Sequence, residues 1–279
     1  MINEIRTQYD IDFLCHFLSI PRSTFYYRPK PRVRYSDYDE IVMEIFLDSR
    51  SIYGARKIKA ELSKLGYQVS RRKIMEIMKY QGLKSKYEKA RSKKTKTGAN
   101  FTDYRNLVQR HFTGRKPFEV IVADVTYVYF DRRLYYLCVF MDIATRMIVG
   151  SSVSTRIGTG LVESALYSMS LDLNKVKIFH TDRGSEFNNI KINALFASFE
   201  ISRSLSNVSS PLDNAVIESL NNIVKIEWKF GLQIDSISEF KTSWYDYVDW
   251  YNNERLHGSL GYVSPANYMK SLDKNREVK

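Results

Sequence analysis

The sequence predicts an α/β domain preceded by small all-α units, and two observations lead to that class. Beyond residue 117, runs of β-branched and aromatic residues come first as three strands in succession and then in alternation with segments of helical spacing. Ahead of them apolar residues recur only at helical intervals, and cations accumulate: 26 basic against 12 acidic residues through Pro117, then 17 against 19. A hydrophobic content of 44% is enough for real cores. A length of 279 residues suggests two or three units.

In chain order, residues 1–34 read as a short helical segment and linker. Ile11, Leu14, Phe17 and Leu18 make an apolar face, and Pro21 suits the start of a second short helix. The pair has the look of a small helix-turn-helix or of a plain packing module. Residues 35–83 read as a three-helix unit. Ile41, Val42, Ile45 and Phe46 mark its first helix; Ile58, Leu62 and Leu65 mark its second, which Gly66 ends. Ser70 can cap the third, with Ile74, Ile77 and Met78 inward and Gly82 past its end. Arg71, Arg72 and Lys73 occupy that helix's first turn, where cations oppose the macrodipole, so phosphate contact competes with a merely solvated face.

Residues 84–116 read as a basic linker. Seven of the fourteen residues 84–97 are Lys or Arg, Lys93 and Lys94 among them, and they lack apolar periodicity. An extended tether following a phosphate backbone is expected, with a solvated linker as the bland alternative. Strands follow over 119–130, 134–143 and 147–153, then a helix over 160–171, a strand over 176–180, a helix over 190–199 and a strand over 201–205. Residues 131–133 and 144–146 are the turns between the first three. Two long helices, 213–230 and 236–253, close the domain, which spans 117–270 and leaves 271–279 as a tail. In the first, Ile217, Leu220, Val224 and Trp228 form one buried stripe, Asn214, Glu218, Asn221 and Lys225 oppose it, and Asp213 is a possible N-cap. In the second, the stripe is Ile237, Phe240, Trp244, Val248 and Tyr251.

The basic front half points to a polyanion, nucleic acid first, which a positive field would steer in and hold by counterion release. Cys15 and Cys138 are far apart and the four histidines are scattered, which reads as a reducing compartment and no structural metal. No apolar run approaches the eighteen or so residues of a membrane span, and the start lacks a secretory core, so a cytosolic protein is expected.

Three carboxylates stand out. Asp124 is a lone acid in the apolar run Val120-Ile121-Val122-Ala123-Asp124-Val125, a costly position unless it meets a partner or a metal. Asp182 ends the strand that leads into His180-Thr181-Asp182-Arg183-Gly184-Ser185. Glu218 comes from a helix 35 intervening residues later, with Lys225 about two turns beyond it on the same face.

These pieces, with Asp124-Val125-Thr126-Tyr127, Asp213-Asn214-Ala215 and Tyr251-Asn252-Asn253-Glu254-Arg255-Leu256-His257, resemble the OrfB-type transposases of insertion-sequence family three. Those are DDE transposases of the retroviral-integrase superfamily, and the resemblance covers nearly the whole chain. Ile121, Ala123, Phe187 and Leu256 depart from the family's usual residues without touching the acids.

The resemblance implies a ribonuclease-H-like integrase catalytic core in which Asp124, Asp182 and Glu218 are the catalytic acids. They would hold two Mg²⁺ ions, for which Mn²⁺ can substitute, with Asp124 bridging the two. It implies 3′-end cleavage and strand transfer at the element ends, with Lys225 as a DNA contact; Arg71, Arg72, Lys73, Lys93 and Lys94 are expected DNA contacts on their charge and position. It also implies a homo-oligomer on DNA in a bacterial nucleoid, active alone or as a frameshift fusion with an upstream OrfA-type partner. Asp142, His180 and Glu186 stay outside the metal set, Asp142 as a turn acid and His180 as a satisfied edge histidine; Arg255 and His257 have no settled role. A DNA-binding regulator or transposase remnant without activity, and a ribonuclease of the same fold, are the competing readings.

Overall fold

The structure, a computed structural model, describes residues 10–27, 37–89, 104–130, 133–187, 190–207, 210–228 and 234–277. The chain forms two compact units, residues 1–39 and 40–279. In the first, α1 (Ile11–Phe17) and α2 (Arg22–Tyr26) pack together. Leu14 and Cys15 are buried, whereas Phe17 and Leu18, expected inward, are exposed.

The second unit begins within α3 (Asp39–Asp48), whose first residue ends the first unit, and continues with α4 (Ala55–Lys64) and α5 (Arg71–Tyr80). Val42, Phe46, Ile58, Leu62, Ile74 and Ile77 make their core, as the helical spacing predicts. Ser70 caps α5 by accepting the Lys73 N–H at 3.2 Å, and Gly66 and Gly82 end α4 and α5 at φ +88° and +69°. Leu65, expected inward, is exposed. The expected tether does not begin extended: Lys86–Lys89 is a 3₁₀ turn, and Ser85 Oγ donates to the Ile52 carbonyl at 2.6 Å. The remainder of that tether, with Lys93 and Lys94, lies outside the described residues.

One five-stranded sheet follows: β1 (Val120–Phe130), β2 (Arg133–Asp142), β3 (Ile148–Ser154), β4 (Ile178–Thr181) and β5 (Ser202–Leu205), in the order β3-β2-β1-β4-β5. The β1–β2 and β2–β3 pairs are antiparallel; β1–β4 and β4–β5 are parallel. This is the predicted α/β plan. The parallel strands need crossovers, which α6 (Thr159–Tyr167) and α7 (Ile190–Ser198) supply. Asp131 and Arg132 of the expected first turn lie outside the described residues. The second turn holds Asp142, which accepts the Phe118 N–H at 3.0 Å, the Thr145 N–H at 2.9 Å and the Thr145 hydroxyl at 2.6 Å. It is the turn acid that was expected.

Ile121 and Ala123 of β1, Cys138 and Phe140 of β2, and Leu161, Ala165, Ile192 and Phe196 of the crossover helices form the core on one face of the sheet. Gly150 of β3 marks how closely α6 approaches. A Cβ there would stand 2.8 Å from the Ala165 carbonyl oxygen and 2.5 Å from Met169 Cγ. Backbone cannot step aside as a side-chain tip can, so Gly150→Ala is expected to cost about 1–3 kcal/mol in a denaturant titration. A cost below a few tenths of a kcal/mol would show that the helix has room to move.

Against β1 on the other face lies α8 (Ala215–Glu227), followed by α9 (Ile237–Asn253) and α10 (Pro265–Glu277). Ile217, Leu220, Val224 and Trp228 are all buried, as their spacing requires. Asp213 does not cap α8. It lies in a 3₁₀ turn, Pro211–Asn214, and accepts the Arg110 guanidinium at 2.7 Å and the Asn207 N–H at 3.1 Å. On α9, Phe240, Trp244 and Tyr251 are buried as expected, Ile237 is exposed, and Tyr247 and Trp250 are buried as well. The expected boundary at 270 falls inside α10.

Candidate functional site: converging carboxylates

Strand register brings the first two acids together. The last parallel pair of β1 with β4 is Ala123 with Thr181, so Asp124 and Asp182 each stand one residue beyond it, at the same end of adjacent strands about 4.8 Å apart. Period-two alternation turns Asp124 and the buried Thr126 away from the core of Ile121 and Ala123, towards α8. Asp182 leaves β4 in a tight turn, accepting the Gly184 N–H at 3.0 Å.

Glu218 arrives in the first turn of α8. Two contacts seat that helix. Asn214 Nδ2 donates at 3.3 Å to the Ala123 carbonyl, where the pairing with β4 runs out. One turn after Glu218, Asn221 Nδ2 donates at 2.6 Å to Asp124 Oδ2. The face expected to oppose the apolar stripe is therefore not simply solvated; Asn214 and Asn221 are buried and serve the acids.

The acids act on one another electrostatically. Burial pushes the Asp124 carboxyl well above the usual range, and the charges of Asp182, Glu218 and Glu186 push it further. Burial also raises Asp182, against the Gly184 N–H that lowers it. Glu186, left out of the metal set, is raised by burial and by Asp182. Its carboxylate lies against Gly184, where a Cβ would come within 2.6 Å of Oε1. The residue type at Gly184 is thus what lets a fourth acid approach.

Hard oxygen donors, held together at an electrostatic cost in a partly dehydrated place, fit a hard divalent cation. Among the described residues, no three His, Cys, Asp or Glu side chains already stand close enough to grip one. The acids converge without closing on a point.

The other expected residues divide. Lys225 is half-buried, with its ammonium 5.2 Å from the centre of the Tyr127 ring. Arg71 and Arg72 are exposed and Lys73 partly so; Arg72 makes a surface pair with Glu76 at 3.3 Å. These three lie on the helical front and are not brought to the acids. His180 is fully buried between Ser204 at 2.8 Å and Ser206 at 3.2 Å, and burial pulls its pKa down to about 4. It is satisfied as expected, but β4 is an interior strand, not an edge.

Arg255 and His257 gain roles that their spacing did not reveal. Arg255 grips Glu227 with two bonds of 2.6 Å, and the Tyr87 and Tyr247 hydroxyls donate to the same carboxylate. The Tyr251 hydroxyl meets His257 Nε2 at 2.8 Å. Between them, Asn252 exchanges two bonds of 2.9 Å with the backbone of Ile148 at the start of β3. The segment is a structural clasp. Sequence reasoning also missed Asn221 as a partner of Asp124, although its place three residues after Glu218 was a usable signal.

Comparison with known proteins agrees with this geometry. Two family models described as "Integrase core domain" match residues 114–211 and 200–265, and one described as "HTH-like domain" matches residues 36–91. The chain is 29% identical over 275 residues to the transposase assigned to insertion sequence element IS150 (InsK) of Escherichia coli, covering 96% of both chains. It is 30% identical over 243 residues to the transposase assigned to IS986/IS6110 of Mycobacterium tuberculosis, covering 84% of this chain and 87% of the relative. It is 27% identical over 278 residues to the InsF transposase of IS3A from Escherichia coli, covering 96% of both. With an integrase core whose strand ends gather the acids, and an HTH-like front, the chain belongs to the OrfB-type transposases of bacterial insertion-sequence family three, enzymes that transfer polynucleotide strands.

Proposed function

We propose that the chain cleaves the 3′ ends of its own insertion sequence and joins them to target DNA, with Asp124, Asp182 and Glu218 as the catalytic acids. The observation that carries the reading is the meeting of Asp124 and Asp182 one residue past the last β1–β4 pair, under a helix that delivers Glu218. The three acids would hold two Mg²⁺ ions, or Mn²⁺ in their place. Such ions, when bound, stabilise charge on the attacking and leaving oxygens of an in-line displacement.

The protein's own groups do the rest. Asn221 orients the Asp124 carboxylate through its 2.6 Å bond, and Asn214 keeps α8 registered against β1. Arg71, Arg72 and Lys73, with Lys93 and Lys94 of the linker, hold DNA through its phosphates. A water and then a DNA 3′-hydroxyl serve as nucleophiles, without a covalent protein intermediate. The site would work as a homo-oligomer on paired ends in the nucleoid, with or without fusion to an OrfA-type partner. Crosslinking on paired ends with each form of the protein reads both points.

The deciding experiment incubates purified protein with labelled element-end DNA and Mg²⁺. Nicking at the 3′ end and joined product are expected, both abolished by EDTA. Binding with neither would favour the inactive regulator instead.

Lys225 is expected to contact DNA beside the acids. Lys225→Ala should weaken use of element ends about fivefold to thirtyfold and reduce the slope of log affinity against log salt by about one. Cation binding by the acids, followed by calorimetry, should be kept. Joining at the normal rate with an unchanged salt slope would remove Lys225 from the DNA interface.

A further inference from the structure

Strand β1 runs on beyond the strand that covers its edge, although its α8 face stays buried to Phe130. Its pairing with β4 stops at Ala123, but the strand continues to Phe130, where among the described residues it pairs with β2 alone. The row Ile121, Ala123, Val125 lies on or against the core. By the same alternation the row continues through Tyr127 and Tyr129. These two rings are 42% and 53% exposed. They meet edge to face at a centroid distance of 5.9 Å. Their partners across the antiparallel pair, Tyr136 and Leu134, are half-buried. An outward strand face would ordinarily carry polar residues; here it carries an aromatic and apolar patch.

Two features fix what the patch suits. Tyr127 is three residues from Asp124, about 10 Å along the same strand and on its opposite face, so a DNA strand would reach it round the edge of β1 that β4 leaves after Ala123. The Lys225 ammonium lies over the Tyr127 ring, 5.2 Å from its centre, so a cation sits on one face of an exposed aromatic pair. Ring faces that accept any base, with an adjacent positive charge for the phosphate between bases, are the chemistry by which proteins hold unpaired nucleotides.

We propose that Tyr127 and Tyr129 form a stacking platform for an unpaired base at the element terminus, next to the bond that is cut. The platform holds the frayed strand open, and Lys225 takes the phosphate that follows. This rests on the transposase reading above, because it is the cleavage site that brings a DNA end to β1.

The test uses full-length protein and element-end duplexes carrying 2-aminopurine at one terminal position at a time, with an internal position as control. Stacking quenches the probe. Wild type, Tyr127→Phe and Tyr129→Phe are expected to quench a terminal probe but not the internal one. Tyr127→Ala and Tyr129→Ala should lose that quench, and affinity for the end should fall about fivefold to a hundredfold, the range a lost base stack costs. Affinity for random duplex should stay, and unchanged melting curves would show that the variants fold.

Two outcomes overturn the platform alone: wild type that cleaves the end without quenching any terminal probe, or alanine variants that quench as wild type does. If the alanine variants instead convert a DNA-free dimer to monomer in sedimentation and leave quenching intact, the patch is a contact between copies of the chain and the proposal fails. Absence of Mg²⁺-dependent cleavage by wild type would fell the transposase reading itself, a result distinct from each of these.

Discussion

Asp124→Asn is expected to lower strand cleavage by at least about 10²–10³-fold, the scale on which loss of one transition-state charge partner acts, and to make the cation-free protein more stable. The substitution keeps an acceptor for the Asn221 N–H, which bonds Asp124 Oδ2 at 2.6 Å, so the packing of α8 on β1 should survive. What disappears is a carboxylate held against burial and against the charges of Asp182, Glu218 and Glu186. The sign follows from linkage. A carboxyl whose folded pKa is raised above its unfolded value of about 3.9 stabilises the fold below that value and loses the contribution as pH rises through the folded one.

Wild type should therefore fall behind the Asn variant from mildly acidic pH upward. At pH 8 the variant should melt about 2–4 °C higher, the shift that roughly 1 kcal/mol produces in a chain of this size. Divalent cation should raise the wild-type melting temperature and close the gap. Asp182→Asn and Glu218→Gln should match the loss of cleavage, and all three should keep their DNA affinity, which comes from the cationic front. Near-normal turnover by any one variant would remove that residue from the metal set, and an Asp124→Asn protein that melts lower than wild type at pH 8 would refute the repulsion.

Two of the three proposed acids were legible for different reasons. Asp124 showed itself as a lone charge in an apolar strand, and Glu218 through the spacing of Ile217, Leu220, Val224 and Trp228, which fixed the face it occupies. Their convergence was not legible without the family resemblance, because it depends on the β1–β4 register, a relation between segments nearly sixty residues apart. Asn221 was misjudged for a related reason: a polar residue facing a buried carboxylate has the same pattern as one facing water. On α9 a single stripe was expected, yet Tyr247 and Trp250 are buried too. The helical front packs there: Arg50 of the α3–α4 connection lies 5.0 Å over the Trp250 ring and pairs with Asp246 at 2.7 Å. A helix covered on two sides needs two apolar faces, and periodicity cannot say what brings the second cover. Arg255 was opaque for the same reason, since its partners Glu227 and Tyr87 lie 28 and 168 residues away.

Arg255→Met is expected to cost about 3–5 kcal/mol, the usual penalty for stranding one member of a buried ion pair. The side chains of Arg255 and Glu227 are 4% and 0% exposed, so water cannot replace the lost guanidinium. Burial alone would raise the Glu227 carboxyl, but the Arg255 charge and its hydrogen bonds outweigh burial and hold it below the ordinary value. A depressed carboxyl stabilises the fold above its unfolded pKa of about 4.3, and the contribution is lost as pH falls through the folded value. The wild-type margin over Arg255→Met should therefore be full at pH 7 and shrink in acid. Melting should drop by roughly 6–20 °C at neutral pH.

The double variant Glu227→Gln, Arg255→Met should recover much of that loss, because no charge is then left buried. It should not recover coupling of DNA binding to cleavage. The Tyr87 hydroxyl donates to Glu227, and the Tyr53 hydroxyl accepts the Leu256 N–H at 2.7 Å, so the clasp fastens the helical front to the catalytic core. With the charged half of that fastening gone, the double variant should bind DNA as wild type does yet cleave element ends more slowly. A single variant that melts within about 1 kcal/mol of wild type would show that the pair is not the buried anchor that its geometry describes.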